Sequence, residues 1–551
     1  MRSDGANVAV MDRPHVALSQ RRRWVVTAGI LLGMFLAALE ATVVGTAMPT
    51  IIATLGGLDR YSWVISSFLL ASTVTVPVWG RLSDLYGRRP LYLIGVGLFL
   101  AGSALSGASQ SITQLIIFRA LQGFGAGALV PLSLTINGDI FTPAERARIQ
   151  GLFSGVWGLA SILGPLAGGI ITDQFSWRWV FYINIPFGLA AAVVVGLALK
   201  EPKREGRVSI DYAGAVSMTV AVTLLLVALV ETGSASDWSG PALLLSAAGA
   251  LLFGALFIRA ERRAIEPIVP LSIFRNRVVG VGSLTSFFVG TAMFGAITFV
   301  PLFVQGTLGG SATQAGSLLT PLLLGWVSLA IVGGRLMLKV GYRPTVISGL
   351  AVLTAGFAVL SQFGPSTPRW LLLTDMALIG SGMGLVVLAL LIAVQNSVER
   401  TQLGIATSLN QFSRSIGGAV GVALMGAVLS ISLNSHLEDI QQTSGLPEAE
   451  VARVVHNPSA LIDPGARVTL PPSLLASMKG ALGGALHKVF LVGVLLAGLA
   501  LVSGFWLPAT RLGEAAPARA QHVATTPAEC EQLLMAEMTN LDAEHEPVAV
   551  D

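Results

Sequence analysis

Residues 80–91 read Gly-Arg-Leu-Ser-Asp-Leu-Tyr-Gly-Arg-Arg-Pro-Leu and form a short charged segment between two long apolar stretches. The segment carries two glycines, one acid and two adjacent arginines: Gly80, Gly87, Asp84, Arg88 and Arg89. The glycines allow a sharp turn and a close approach of helices. The acid can pair with an arginine or cap a helix end, and the arginines can brace the C-terminus of a neighbouring helix. This pattern predicts a structured turn between two membrane spans; the alternative is an ordinary basic cytoplasmic loop.

The composition places most of the chain in a lipid bilayer. Of its 551 residues, 53% are hydrophobic and only 12% are charged, and the mean hydropathy is +0.74. A soluble domain carries about 25% charged residues. Apolar stretches of about 20 residues mark spanning helices, and the sequence predicts fourteen of them. The fold class expected is therefore an all-α polytopic membrane protein. The net charge of +4 requires no nucleic-acid partner.

The basic residues predict the orientation of the chain. Most of the 34 Lys and Arg residues fall in segments on one side of the predicted spans, including Arg21, Arg22 and Arg23 before the first span. Basic residues accumulate on the cytoplasmic side. We therefore expect the tails, 1–23 and 508–551, to be cytoplasmic. The composition, rich in Ala, Gly and Arg, suggests a bacterial source and hence the cytoplasmic (inner) membrane.

The chain repeats itself. The glycines of the first half recur in the second in one register: Gly80, Gly87, Gly123, Gly125, Gly127, Gly164 and Gly168 correspond to Gly334, Gly341, Gly380, Gly382, Gly384, Gly417 and Gly421. Such self-similarity indicates duplication. The predicted organisation is a six-helix bundle over 24–199, two inserted spans over 210–259 and a second six-helix bundle over 278–507. Residues 434–485 are predicted to form a long outer loop, which either shields substrate exit, docks an accessory envelope protein or is simply solvated.

The segment at 80–91 resembles the signature between the second and third spans of the major facilitator superfamily. Residues 158–169, Gly-Leu-Ala-Ser-Ile-Leu-Gly-Pro-Leu-Ala-Gly-Gly, resemble the signature that this family associates with antiport. The inserted pair of spans is similar to the fourteen-span drug:proton antiporter (multidrug resistance) branch. The resemblance implies the major facilitator fold, with a substrate cavity between two six-helix bundles and the turn at 80–91 gating its cytoplasmic side.

The segment at 158–169 also suggests a hinge. Its five notable residues are Gly158, Gly164, Pro165, Gly168 and Gly169. Glycines four residues apart share one helix face and permit close helix contact. Proline removes a backbone hydrogen bond and permits a bend. A bend at a tight interface between the halves would serve as a pivot; the alternative is plain helix packing.

Ionisable residues inside spans are costly and usually functional. Glu40 lies in the first predicted span, 24–47, and Arg119 in the fourth, 112–137. Both are expected at the same depth, where they could pair or compete for a proton; the resemblance links the Arg119 segment to proton coupling. The alternative is a static ion pair. Asp375 is a second-half candidate for proton coupling, with hydration near the surface as its alternative. The candidates for lining the cavity are Gln122, Asn410, Gln411 and Arg414.

Several chemistries have no motif in this chain. No lysine is followed by serine or threonine, so no P-loop for ATP is present. The histidines are scattered, and neither a zinc nor a serine-hydrolase motif occurs. We therefore expect no enzyme activity, no cofactor and no metal. The sequence predicts a proton-coupled exporter of amphipathic or cationic small molecules that works by alternating access. A dedicated exporter of a lipid, siderophore or metabolite is the second hypothesis, and a non-transporting membrane sensor or anchor is the third.

Overall fold

The computed structural model describes residues 18–141, 143–199, 211–234, 241–264, 267, 269, 271–398, 402–443 and 472–508, and these contain helices and no strand. The helices of the first half are α1 Gln20–Leu55, α2 Tyr61–Tyr86, α3 Arg88–Ala108, α4 Ile112–Ile140, α5 Pro143–Gln174, α6 Trp179–Tyr182 and α7 Asn184–Ala198. An inserted pair follows, α8 Tyr212–Ser234 and α9 Pro241–Glu261. The helices of the second half are α10 Arg277–Leu302, α11 Ala312–Val340, α12 Tyr342–Leu360, α13 Arg369–Asn396, α14 Leu403–Thr443 and α15 Pro472–Phe505.

Twelve helical segments among the described residues are long and apolar enough to cross a membrane, with α6 and α7 counted as one segment. The all-α membrane architecture is thus confirmed. The helices α2 and α5 do not reach this criterion, and only Tyr61–Val76 of α2 stands out as a shorter apolar helix. The count of fourteen spans therefore stays a prediction.

The two halves repeat the same packing. In the first half α2 and α3 pack on α4, and α1 packs on α5; in the second half α11 and α12 pack on α13, and α10 packs on α14. The repeated glycines explain the correspondence. A Cβ at Gly123 would overlap the carbonyl oxygen of Phe68 in α2, and one at Gly380 would overlap that of Leu322 in α11. Gly123 and Gly380 therefore occupy equivalent close helix contacts.

The halves meet along α5 and α11 on one side and along α2 and α14 on the other, with α1 against α10 between them. We call the end where α1 ends and α2 begins the distal end, and the end where α2 ends and α3 begins the proximal end. The inserted helix α8 packs against both α2 and α14, whereas α9 packs mainly on α8. The insertion therefore covers one of the two seams between the halves.

The segment at 80–91 is not a loop. Helix α2 continues to Tyr86 and α3 starts at Arg88, so Gly87 alone joins them. Its φ of 94° lies in the left-handed region, and Gly341, its counterpart in the second half, has a φ of 88°. The sharp turn is thus confirmed at Gly87. At Gly80, none of the described atoms lies within 4 Å of a Cβ placed there, so the predicted close approach of helices is not seen at this position.

The interval predicted to be a loop, 434–485, is helical at both ends. Helix α14 continues to Thr443 and α15 begins at Pro472. Leu437 and Leu474 are buried in the same apolar core, which explains why the helices extend so far. Residues 444–471 lie outside the described part of the chain, as do the tails at 1–17 and 509–551.

Candidate functional site

An ion pair between α1 and α4 lies in the interior of the first half. Arg119 donates through Nη1 to Oε1 of Glu40, and both residues are 1% exposed. The expected pairing is therefore confirmed. The depth of Glu40 differs from the expected one, because α1 continues to Leu55 rather than ending at residue 47. Glu40 is consequently near the middle of its helix rather than near its end.

The carboxylate of Glu40 has a second donor in Asn184. The Nδ2 group of Asn184 donates to Glu40 Oε2 over 2.6 Å and to Ser103 Oγ over 3.0 Å. Ile183 separates α6 from α7, and Asn184 begins α7 directly after this break. No role for Asn184 was predicted from the sequence, although an amide in an otherwise apolar span was a visible signal.

The guanidinium of Arg119 is held from three sides. Its Nη1 donates to Gln122 Oε1 over 2.7 Å, its Nε donates to the Val64 carbonyl over 3.3 Å, and its Cζ lies 4.2 Å from the centre of the Phe68 ring. Gln122 in turn donates to Ser103 over 3.2 Å. Buried charges are tolerated when they are paired and hydrogen-bonded, and this pair is both.

The network can accommodate two protonation states of the carboxyl group. The Oδ1 atom of Asn184 has no hydrogen-bond partner among the described residues. A carboxamide offers both a donor and an acceptor, so rotation of the Asn184 amide would let it accept a hydrogen bond from protonated Glu40. The site therefore contains the groups needed to hold Glu40 in either form.

Asp375 in α13 is placed very differently. It is 3% exposed, and neither of its carboxylate oxygens has a hydrogen-bond partner among the described residues. Hydration near the surface, the alternative considered from the sequence, is not what this burial shows. An unpaired buried carboxylate is costly, so the site favours a neutral side chain.

We expect Asp375→Asn to leave the melting temperature at neutral pH unchanged or to raise it, because the amide cannot place an unpaired charge in this apolar site. If Asp375 carries a proton during transport, the same variant should lose most gradient-driven transport. Thermal unfolding in detergent and transport in liposomes measure the two effects. A clear fall in the melting temperature would contradict the prediction and indicate an ionised Asp375 with a partner.

The four cavity candidates divide into two groups in this structure. Gln122 is fully buried within the ion-pair network, and Asn410 donates to Ser286 Oγ over 2.7 Å and is 3% exposed. Gln411 is exposed, and half-buried Arg414 donates to it through Nη2. Of these four side chains, only those of Gln411 and Arg414 are therefore accessible to solvent in this conformation.

The residues of the predicted hinge face two different neighbours. A Cβ at Gly164 or Gly168 would collide with α1 of the same half, at Thr42 and Val43 respectively. A Cβ at Gly169 would lie 2.6 Å from the Ala312 carbonyl oxygen of α11, in the other half. The α5 helix thus packs tightly on its own half with one face and on the other half with another.

Two further residues of this segment also face α11. A Cβ at Gly316 of α11 would overlap the carbonyl oxygen of Pro165, whereas one at Gly158 would lie 3.7 Å from Val327, an ordinary contact. The close part of the seam therefore runs from Pro165 to Gly169 and does not include Gly158.

At the proximal end, Arg88 is 2% exposed and braces the last turn of α4. Its Nε donates to Asp139 Oδ2 over 3.2 Å, and its Nη1 donates to Ser83 Oγ. The brace predicted from the sequence is thus present at Arg88. Arg89 is exposed. Asp84 lies in α2, but its side chain lies outside the described part of the structure.

At the distal end, several hydrogen bonds join the halves. Tyr61 donates to the Thr298 carbonyl over 2.8 Å, and Gln305 Nε2 donates to the Thr46 carbonyl over 2.9 Å. Gln305 lies in Phe303–Thr307, a turn of π-helix that continues α10, and π-turns frequently occur at functional sites. Gln305 was not among the residues predicted from the sequence. These bonds close the distal end of the molecule.

Among the described residues, no group of three or more His, Cys, Asp or Glu side chains could hold a metal ion. The described residues offer a buried carboxyl–guanidinium pair, Glu40 with Arg119, and a second buried carboxyl group, Asp375. They also form a seam between the two bundles along α5 and α11.

The sequence profile of the Major Facilitator Superfamily matches residues 30–422. The chain belongs to the Major Facilitator Superfamily. The resemblance inferred from the segment at 80–91 is thus confirmed. The chain is a membrane transporter of this superfamily rather than a member of an enzyme family.

Individual relatives and solved structures agree with this membership. The chain is 38% identical to the Multidrug transporter protein MdtP of Bacillus subtilis (strain 168), over 90% of this chain and 94% of that protein. It is 36% identical to Multidrug resistance protein 3 of the same organism, over 88% of this chain and 95% of that protein. A bacterial homologue of the human lysosomal transporter Spinster, solved in an inward-facing and unoccupied conformation, has the same fold. Its TM-score is 0.65 at 18% identity, over 91% of this chain and all of that one.

Proposed function

We propose that this superfamily member is a drug:proton antiporter that exports amphipathic or cationic small molecules across a bacterial cytoplasmic membrane, with both termini in the cytoplasm. The observation that carries the proposal is the buried Glu40–Arg119 pair with its second donor, Asn184. Ionisable residues inside a membrane bundle are costly and commonly form ion or proton pathways. The names of the two Bacillus relatives, a multidrug transporter and a multidrug resistance protein, support drug export as the function.

The proposed mechanism couples proton binding to alternating access. Protonation of Glu40 would weaken its ion pair with Arg119, while Asp375 offers a second carboxyl group in the other half. We expect the seam between α5 and α11 to be closed when the substrate cavity faces the proximal side and open when it faces the distal side. The turn at Gly87, with Arg88 bound to Asp139, would control closure at the proximal end.

The proposal predicts transport that needs a proton gradient and no ATP. We expect liposomes containing the purified protein to move ethidium, an amphipathic cation, when a pH difference is imposed in the absence of nucleotide. An uncoupler should abolish the movement, and empty liposomes are the control. A panel of other amphipathic compounds would then define the breadth of substrates. Transport that survives the uncoupler in cells but stops on ATP depletion would contradict the proposal.

An accessory envelope protein that docks between α14 and α15 is a second element of the proposal. Residues 444–471 are the segment to delete in a binding test. Loss of a co-purifying envelope protein without loss of transport would support this role.

A further inference from the structure

Asp173 joins the two halves of the protein at the distal end. It lies in the last turn of α5, just beyond the close seam that ends at Gly169. Its Oδ1 accepts a hydrogen bond from the Ala312 amide over 3.2 Å, and its Oδ2 accepts one from the Thr313 amide over 2.8 Å. Both amides belong to the first turn of α11, in the other half. A single carboxylate therefore spans the seam.

These contacts complete the cap of α11. The first amide groups of a helix have no partner within the helix and need one from elsewhere. Ser311 accepts from the Gln314 amide over 3.2 Å and Asp173 accepts from the two amides before it, so the first three amides of α11 are all satisfied. A carboxylate at a helix N-terminus is also favoured by the helix dipole. Two of these three bonds come from the opposite half.

We propose that Asp173 is a positioning residue for transport: its carboxylate holds the distal end closed by capping α11 from the opposite half. Separation of α5 from α11 would break both hydrogen bonds at once, so release of this cap is a step in opening the distal side. The proposal rests on alternating access as proposed above. It assigns a role to an acid that, from the sequence alone, looks like an ordinary solvated residue at a span end.

The test measures how often the distal end opens. Cys530 is the only native cysteine, so a Cys530→Ser background allows a single reporter. Ser62 is a suitable position, because it is 2% exposed and its side chain lies against Gly426 of the other half. In nanodiscs, a hydrophilic thiol reagent should modify Ser62→Cys about three- to ten-fold faster when Asp173→Ala is added, as expected for loss of a charged cap.

The matched control is Ser111→Ala, which removes a cap that lies within one half. Ser111 accepts from the Gln114 amide of α4 over 3.3 Å, as Ser311 does in α11. This control should leave the labelling rate unchanged. Asp173→Asn, which keeps one acceptor oxygen, should give an intermediate rate and provides a second variant if Asp173→Ala folds poorly.

An unchanged labelling rate in both Asp173 variants, or an equal increase in Ser111→Ala, would overturn the proposal. Because labelling needs neither substrate nor a proton gradient, that result would leave the proposed transport function untouched. Conversely, faster labelling in a protein that moves no tested substrate would support the role of Asp173 and count only against the proposed function.

Discussion

Replacing Glu40 by glutamine is expected to abolish gradient-driven transport and to lower the melting temperature. The amide can still contact Arg119 and Asn184, but it can neither carry a proton nor balance the buried guanidinium charge. Removing one partner of a buried ion pair costs about 3–5 kcal/mol. Transport in liposomes at matched protein content and thermal unfolding in detergent measure the two effects separately.

A double variant separates coupling from stability. Replacing both Glu40 and Arg119 by glutamine removes both charges, and the loss of a whole buried pair is often neutral for stability. We therefore expect the melting temperature to recover while transport remains absent. Recovery of transport in the double variant would mean that the pair is static and serves only to hold α1 against α4.

Adding one methyl group at Gly169 is expected to reduce transport at least ten-fold. A Cβ at this position would lie 2.6 Å from the Ala312 carbonyl oxygen and from Thr313 Cα, both backbone atoms of the opposite half. Because backbone atoms of a packed helix cannot yield cheaply, Gly169→Ala should keep the seam between α5 and α11 from closing. The measurement is the initial transport rate per molecule at matched membrane abundance.

The same helix supplies the control for this experiment. Gly158→Ala makes the identical chemical change where the nearest described atom is a Val327 methyl carbon 3.7 Å from the added Cβ, so transport should stay close to that of the wild type. Equal activity of the two variants would show that close packing at the seam is not required. Equal loss in both would point to helix α5 itself rather than to its contact with α11.

Pattern and charge made much of this architecture predictable. The duplicated glycines predicted two equivalent bundles, and Gly123 with Gly380 and Gly164 with Gly417 account for equivalent helix contacts in the two halves. The pairing of Glu40 with Arg119 was also accessible, because two ionisable residues in apolar spans have few ways to be satisfied. The turn at Gly87 followed from the spacing of glycine and arginine alone.

The features that could not be predicted depend on contacts between residues far apart in the chain, which leave no pattern in the local sequence. The cap of α11 by Asp173 joins residues from opposite halves, and an acid at a span end looks solvated in sequence. Gln305 lies just past the apolar stretch 278–304 that marks its span in the sequence, because hydropathy marks a membrane core and not the helix that continues past it. The same limitation made the interval at 434–485 look like one long loop.

The pairing of Glu40 with Arg119 has an electrical consequence. As an ion pair the two side chains carry no net charge, so the membrane potential exerts no net force on them. A proton on Glu40 would leave one uncompensated positive charge within the first bundle. A unit charge moved across the whole membrane changes in energy by about 2.3 kcal/mol per 100 mV. Voltage would therefore exert a net force on the protonated pair and not on the unprotonated one, favouring movement of the bound proton toward the cytoplasm.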